Sequence, residues 1–264
     1  MKPWMKISLI GVGIALFILL VGVVFKAQDE TVMNPPNIIV PPNGENLFIT
    51  EEELYQRLLA EGILFPGQTF AQLDVELIEK TITEMGEIKS VKVFTSIGAN
   101  WAIEVELRKP IARIFNQYNE SFYLDSEGHT LSPRNLHTAR VVVVNGEIPD
   151  RLNSPPVAEL INNDSLKSIR KLDDVYRITN YVCNDPFLLA QIAQIHYNKR
   201  GEFVLIPQVG DHLIVFGSAL TEKEVSEKFE KLKTFYKHGL PYEGWEKYDE
   251  INLKYEGQIV CKKK

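Results

Sequence analysis

The sequence predicts an α+β chain: one N-terminal transmembrane helix, a compact (β)ααββ unit, and a β-rich mixed region whose last strand is an open edge. Three observations carry this. Ile7 to Phe25, "ISLIGVGIALFILLVGVVF", contains no charge. Two helix-start signals and two alternating strands follow one another within residues 49–107. From Ile251 to the C-terminus apolar and polar residues then alternate, as in a strand with one wet face.

The apolar run comes first. As a helix it covers ~28 Å, about one hydrocarbon core. A cleaved signal peptide would have a shorter apolar region followed by small residues, whereas bulky Phe25 stands where cleavage after Ala27 would want a small one. An uncleaved anchor is therefore expected over 7–25, with a cytoplasmic tail over 1–6. Lys2 and Lys6 precede the span and only Lys26 follows closely. The bias of Lys and Arg toward the cytoplasmic side thus favours an N-terminus inside and the bulk outside.

Residues 26–36 read as an extended linker and 37–109 as the first folded unit. "NPPNIIVPPNG" is stiffened by two Pro-Pro pairs, with a short strand at 38–40. In "FITEEEL", Thr50 is the N-cap, Glu53 its box partner, and Ile49 and Leu54 a hydrophobic staple. Leu54, Tyr55, Leu58 and Leu59 share a face, and Gly62 stops the helix. A second helix opens at Asp74 with Val75, Ile78, Ile82 and Met85 in phase. "SVKVF" and "WAIEVEL" are strands joined by "SIGAN". Lys109-Pro110 closes the unit, because Pro cannot donate to a ladder.

Residues 110–264 form the second region. "IARIFNQ", "SFYLD", "HTL" and "RVVVV" are short strands, and residues 154–179 read as helix with polar interruptions. Asp185-Pro186 marks a helix start. "AQIHYN", "EFVLIP" and "HLIVF" are strands. In "LTEKEVSEKFEKLKTFYKHG", Thr221 caps, Glu224 completes the box, and Leu220 staples to Val225. Val225, Phe229, Leu232 and Tyr236 face inward. "INLKYEGQIVCKK" reads as a hairpin turning at Glu256-Gly257.

Composition limits function. Of 264 residues 29 are basic and 35 acidic, a net of −6. Three of the basic ones flank the span, so the rest is more acidic still, and nucleic-acid binding is not expected. The five histidines form no HxH or HExxH, and there is no GxSxG, SxxK or phosphate-cradling glycine loop. No catalytic residue, metal or cofactor is expected. Asp173-Asp174 reads as a solvated face. Cys183 and Cys261 read as isolated free thiols. Trp245 and Tyr248 in "GWEKY" read as core or as the rim of a partner surface.

The order of parts, with "SVKVFTSIGANWAIEVELRKPIARIF", "SFYLDSEG", "QIHYN", "FVLIPQVGDHLIVFG", "KFEKLKTFY" and "INLKYEGQIV", resembles the bacterial cell-division family FtsQ/DivIB. The "GWEKYDEINLKYEGQ" run is most similar to its Bacteroidetes branch. The resemblance implies that residues 37–109 are a POTRA domain (βααββ) and 110–264 an FtsQ-type β domain. It implies a non-enzymatic scaffold in the inner membrane at the division septum, with its bulk in the periplasm. The implied partners are FtsB-like and FtsL-like single-span proteins and other divisome components. In the family a partner adds a strand beside the last strand. That match carries over to Tyr255, Gly257 and the edge strand Gln258, Ile259, Val260, Cys261 and Lys262, and to Lys228 on the preceding helix. A free edge also suits strand addition physically, with main-chain hydrogen bonds for affinity and alternate side chains for specificity. Two other readings stay open: a POTRA-bearing envelope transport component, and a membrane-tethered periplasmic enzyme.

Overall fold

A computed structural model describes residues 3–41 (backbone alone over 3–10), 49–96, 98–133, 139–161, 165 and 169–264. Lys2, Ile97 of the "SIGAN" turn, His137, all of 42–48 and the residues 162–164 and 166–168 lie outside the described residues. The chain divides into two compact units, which part between Leu107 and Arg108.

The first unit opens with α1 (Pro3–Asp29). Its Gly11–Asp29 stretch is apolar and buries nothing within the protein, and Leu16 and Phe17 point outward. A helix apolar all round with no protein to cover it belongs in lipid. The fold then runs β1 (Asn37–Ile39), α2 (Glu51–Ala60), a 3₁₀ turn (Phe70–Gln72), α3 (Val75–Thr83), β2 (Ile88–Thr95) and β3 (Trp101–Leu107). The sheet order is β1-β3-β2, with β1 parallel to β3 and β2 antiparallel. Joining β1 to a parallel neighbour needs a long crossover, and α2 and α3 lie within it. β1 starts and ends one residue earlier than expected, because Ile38 is the residue that inserts into the core.

Both helix starts form as the side chains dictate. Thr50 Oγ1 accepts from Glu53 N at 3.1 Å, and Asp74 Oδ1 from Leu77 N at 2.9 Å. The Glu53 carboxylate does not close a box; it pairs with Arg57. Leu54 and Leu58 from α2 and Ile78 and Ile82 from α3 are buried with Ile103 and Val105 of β3. Residues 31–34 are extended, as a spacer should be, yet they are hydrogen-bonded to the unit. Met33 N donates to Gln68 O at 2.9 Å and Asn34 N to Ala99 O at 2.9 Å.

The second unit is built on a nine-stranded sheet. In chain order its strands are β4 (Pro110–Phe115), β5 (Ser121–Asp125), β6 (Thr130–Leu131), β7 (Val142–Gly146), β8 (Ile192–Tyr197), β9 (Phe203–Pro207), β10 (Leu213–Gly217), β11 (Tyr248–Asn252) and β12 (Val260–Lys263). The spatial order is β12-β11-β10-β9-β8-β7-β4-β5-β6. The pairs β4–β7, β7–β8 and β10–β11 are parallel. Parallel neighbours demand crossovers. Helices α4 (Val157–Ile161), α5 (Leu172–Asn184) and α6 (Pro186–Gln191) lie between β7 and β8. Helices α7 (Glu222–His238) and α8 (Leu240–Glu243) lie between β10 and β11. Their apolar stripes, Val175 and Ile178 from α5 and Phe229 and Leu232 from α7, join Val144 and Phe216 of the sheet in one core.

Three local expectations are corrected. Asp173 and Asp174 are not a solvated face: both are buried and ion-paired to Arg177, at 2.9 and 2.8 Å. The carboxylates fall in the first turn of α5, but Arg177, one turn on, draws them inward. Leu220 is 64% exposed and staples nothing; its N–H instead donates to Glu224 Oε2 at 2.9 Å. The last hairpin is not tight. β11 begins at Tyr248, and residues 253–259 form the connection rather than strand. Leu253 N bonds Val215 O, so the chain follows β10 before turning at Glu256-Gly257.

A candidate partner-binding edge

β12 pairs antiparallel with β11, with Ile251 opposite Cys261 and Asn252 opposite Val260. It has no neighbour on its other side among the described residues. Half of its backbone hydrogen-bonding groups therefore face away from the sheet, the usual template for an added strand. The side chains alternate. Ile259 and Cys261 are half-buried against the core, while Val260 and Lys262 are exposed. Val260, apolar at a position where the alternation calls for a polar residue, is left facing solvent at the edge. Burial pushes the Cys261 thiol pKa up, so it stays a neutral thiol. Neither it nor Cys183 is in a disulfide.

The edge is flanked by a groove of about 990 Å³ between α7 and residues 253–259. Glu227, Lys231 and Phe235 line it from the helix, and Gly257, Gln258 and Ile259 from the loop. Tyr255, Gly257 and Gln258 are exposed along this rim. Gln258 and Ile259, expected in the strand, precede it.

Lys231 holds the loop in place. Its Nζ donates to Leu253 O at 3.0 Å and Tyr255 O at 2.6 Å. Burial and the adjacent Lys228 lower its pKa. Sequence reasoning missed this residue, although Lys228, Lys231 and Phe235 sit at i, i+3 and i+7, one helix face.

Lys228 is buried, with Nζ 2.7 Å from Ser218 O, 2.5 Å from Glu224 Oε1 and 5.0 Å from the Phe216 ring centroid. Burial alone would raise the Glu224 pKa, but hydrogen bonds from Lys228 and Ser218 bring it below the ordinary value. Lys228 thus ties α7 to the end of β10. Tyr248 is buried too, its ring 6.1 Å from that of Phe235. Trp245 is 38% exposed and rests on Tyr236, centroids 5.5 Å apart. The residues expected at the site therefore divide into an exposed rim (Tyr255, Gly257, Gln258, Val260, Lys262, Trp245) and a supporting layer (Lys228, Tyr248, Ile259, Cys261).

Among the described residues one cluster has metal-ligand chemistry: Asp125, Glu127 and His129. The Arg108 guanidinium already fills it. Its NH1 nitrogen lies 2.9 Å from Asp125 Oδ2, 3.4 Å from Glu127 Oε2 and 3.1 Å from His129 Nδ1. Asp125 Oδ1 is taken by the Glu127 and His129 N–H groups. The cluster is an ion-paired turn.

Comparison with protein families matches residues 109–262 to FtsQ/DivIB, C-terminal related. No curated protein matches the chain. The matched region covers the whole nine-stranded sheet but for the ends of the unit, including α7, the loop and the edge strand. Its members are non-catalytic scaffolds. The chain belongs to the FtsQ/DivIB family: it is a membrane-anchored, non-enzymatic scaffold protein of bacterial cell division.

Proposed function

We propose that this protein links early and late septal proteins by binding FtsB-like and FtsL-like single-span partners through the β12 edge. The observation that carries this reading is the open outer side of β12 beside the α7 groove. An extended partner segment would complete the ladder beside Val260–Lys263. The segment's flank would lie along Lys231, Phe235 and Gln258. The lysines at 262–264 favour an acidic partner and discourage promiscuous edge pairing. Trp245 extends the rim, and Lys228 and Tyr248 support it from below.

In this reading residues 1–6 are a cytoplasmic tail, 7–25 the membrane span, 26–36 a linker, 37–109 a POTRA domain and 110–264 the partner-binding β domain. The βααββ order and the β1-β3-β2 sheet support the POTRA assignment. The Lys2 and Lys6 flank supports a cytoplasmic N-terminus, with the bulk in the periplasm at the septum. The test is site-specific photocrosslinking in dividing cells from positions 255–263, one at a time. Alternating capture of one small single-span protein is expected over 260–263. Uniform absence of capture, with the protein still at septa, would remove β12 as the docking edge.

A further inference from the structure

The first residues after the anchor lead to a surface of the first unit. Glu30 N bonds Lys26 O, Thr31 N bonds Gln28 O and Thr31 Oγ1 bonds Ala27 O, so a closing turn ties Thr31 to the last residues of α1, which ends at Asp29. At ~1.5 Å per residue the end of α1 at Asp29 stands ~6 Å beyond Phe25, and the closing turn brings Thr31 just past it. The headgroup layer on each side is about 5–8 Å deep. Thr31 is therefore near its outer boundary. What is bonded to residues 31–33 must lie there as well.

What is bonded there is residues 68–70. Phe70 N donates to Thr31 O at 2.9 Å and Met33 N to Gln68 O at 2.9 Å, and Val32 bridges Thr69 in antiparallel fashion. Paired backbones are about 4.8 Å apart, so this segment lies within about 5 Å of the anchor exit. Just before it, Phe65-Pro66-Gly67-Gln68 is a type II turn. Gln68 N bonds Phe65 O, Pro66 fixes the first corner, and Gly67 at φ 78° supplies the second. The turn holds Phe65 44% exposed and Val32 is 55% exposed. Phe65 and Met33 border one small cavity, and the Trp101 indole N–H fixes the strand by donating to Asn34 O at 2.7 Å. One apolar side chain, Phe65, is thus presented from a rigid turn, and a second, Val32, from the segment that joins that turn to the membrane exit.

We infer that the Phe65–Gln68 turn and Val32 form a lipid-contact site that seats the first unit on the headgroup surface of the membrane crossed by α1. The occupant follows from covalent continuity: the anchor keeps this surface permanently beside lipid, which makes the contact an intramolecular one. A stiff turn has little further order to lose on insertion, and an aromatic ring suits the interface. Asp29 and Glu30 at the exit do not favour anionic lipid. The contact is therefore apolar and independent of lipid charge and salt. The inference rests on the membrane-anchored reading of α1 and not on the partner edge.

The test uses the full chain in phosphatidylcholine vesicles, with a photoreactive phenylalanine placed in turn at positions 65, 32, 17 and 89. Phe17 lies within the span; Lys89 lies at the end of the β2–β3 hairpin remote from Asn34. Mass spectrometry should find lipid adducts at 17, and at 65 and 32 several-fold above 89. Phe65→Glu should cut the adduct from position 32 several-fold without moving the unfolding midpoint. Adducts at 17 with 65 no higher than 89 would overturn the lipid contact alone. No adduct at 17 would overturn the anchor and the contact together. In cells, capture of one protein from position 65 in place of lipid would also overturn it.

Discussion

The Tyr236 hydroxyl of α7 lies 2.7 Å from His212 Nε2, both side chains buried at the start of β10. Tyr236 stays a neutral phenol, its pKa pushed up to about 12 by burial. Burial also lowers the His212 pKa; nearby Asp211 opposes this and Lys264 adds to it. His212 Nδ1 is buried without a hydrogen-bond partner, so protonation would bury a bare charge. The unfolded chain takes up this proton near the ordinary histidine value of about 6.5, whereas the folded chain resists until lower pH. Stability from this pair is therefore complete above that value and falls as pH drops through it. The thermal midpoint of the full chain should decline between pH 7 and 5, and His212→Gln should flatten part of that decline. An unchanged slope in the variant would assign the decline to other groups.

Arg177 compensates two buried carboxylates, Asp173 and Asp174, and also donates to Ala219 O at 2.9 Å. Burial and then Asp173 raise the Asp174 pKa, while Lys171 and Arg177 pull it down. Arg177→Met keeps much of the stem and removes the charge. It should cost about 3–5 kcal/mol, the usual cost of breaking a buried ion pair from one side. The sign of its pH dependence is distinctive. With the Asp174 carboxyl protonated more readily in the fold, the deficit should shrink as pH falls from 7 to 5. A deficit independent of pH would point to lost packing instead.

The elements legible in the sequence were those fixed by local chemistry. Thr50, Asp74, Asp185 and Thr221 each cap a helix where the spacing places them, and "WAIEVEL" alternates buried and exposed as written. What was not legible depends on partners distant in sequence. Asp173-Asp174 looks solvated until Arg177 and Ala219 O are brought together. The last hairpin looks tight until Leu253 is seen to follow Val215 of β10. Lys228 looks like a surface cation because nothing nearby in the sequence announces Ser218 O or Phe216. At the site, the edge and its alternation were readable, whereas the groove arises from packing α7 against residues 253–259.

Gly146 ends β7 where β8 passes closest. Its φ is 109°, and a Cβ there would lie 2.1 Å from Tyr197 O. Backbone, not a flexible side chain, is in the way, and Glu147 N bonds that same carbonyl at 2.9 Å. Gly146→Ala must break the β7–β8 pairing or distort it. The expected loss is about 4 kcal/mol or more, which belongs to the rare, severe class of substitutions. Urea denaturation, or accumulation in the insoluble fraction, would register it. A soluble variant with a near-normal midpoint would contradict the close approach.

Lys231 and Lys228 stand one helical turn apart and should behave differently when each is changed to Met. Lys228 Nζ is the buried partner of Glu224 and Ser218 O, so its removal strands a part-buried carboxylate and should destabilise the unit as a whole. Lys231 Nζ bonds only loop carbonyls, those of Leu253 and Tyr255. Losing two such bonds, each worth about 1 kcal/mol net, should free the 253–259 connection while leaving the helix in place. Hydrogen exchange in Lys231→Met should accelerate over Tyr255–Ile259 and stay unchanged in α7. Because β12 is reached only through that connection, crosslinking of a partner from positions 260–263 should fall several-fold. Unchanged exchange over the loop would mean that Leu253 and Ile259, packed on the core, hold it without the lysine. Faster exchange with undiminished capture would mean that the edge recognises its partner without a pre-formed loop.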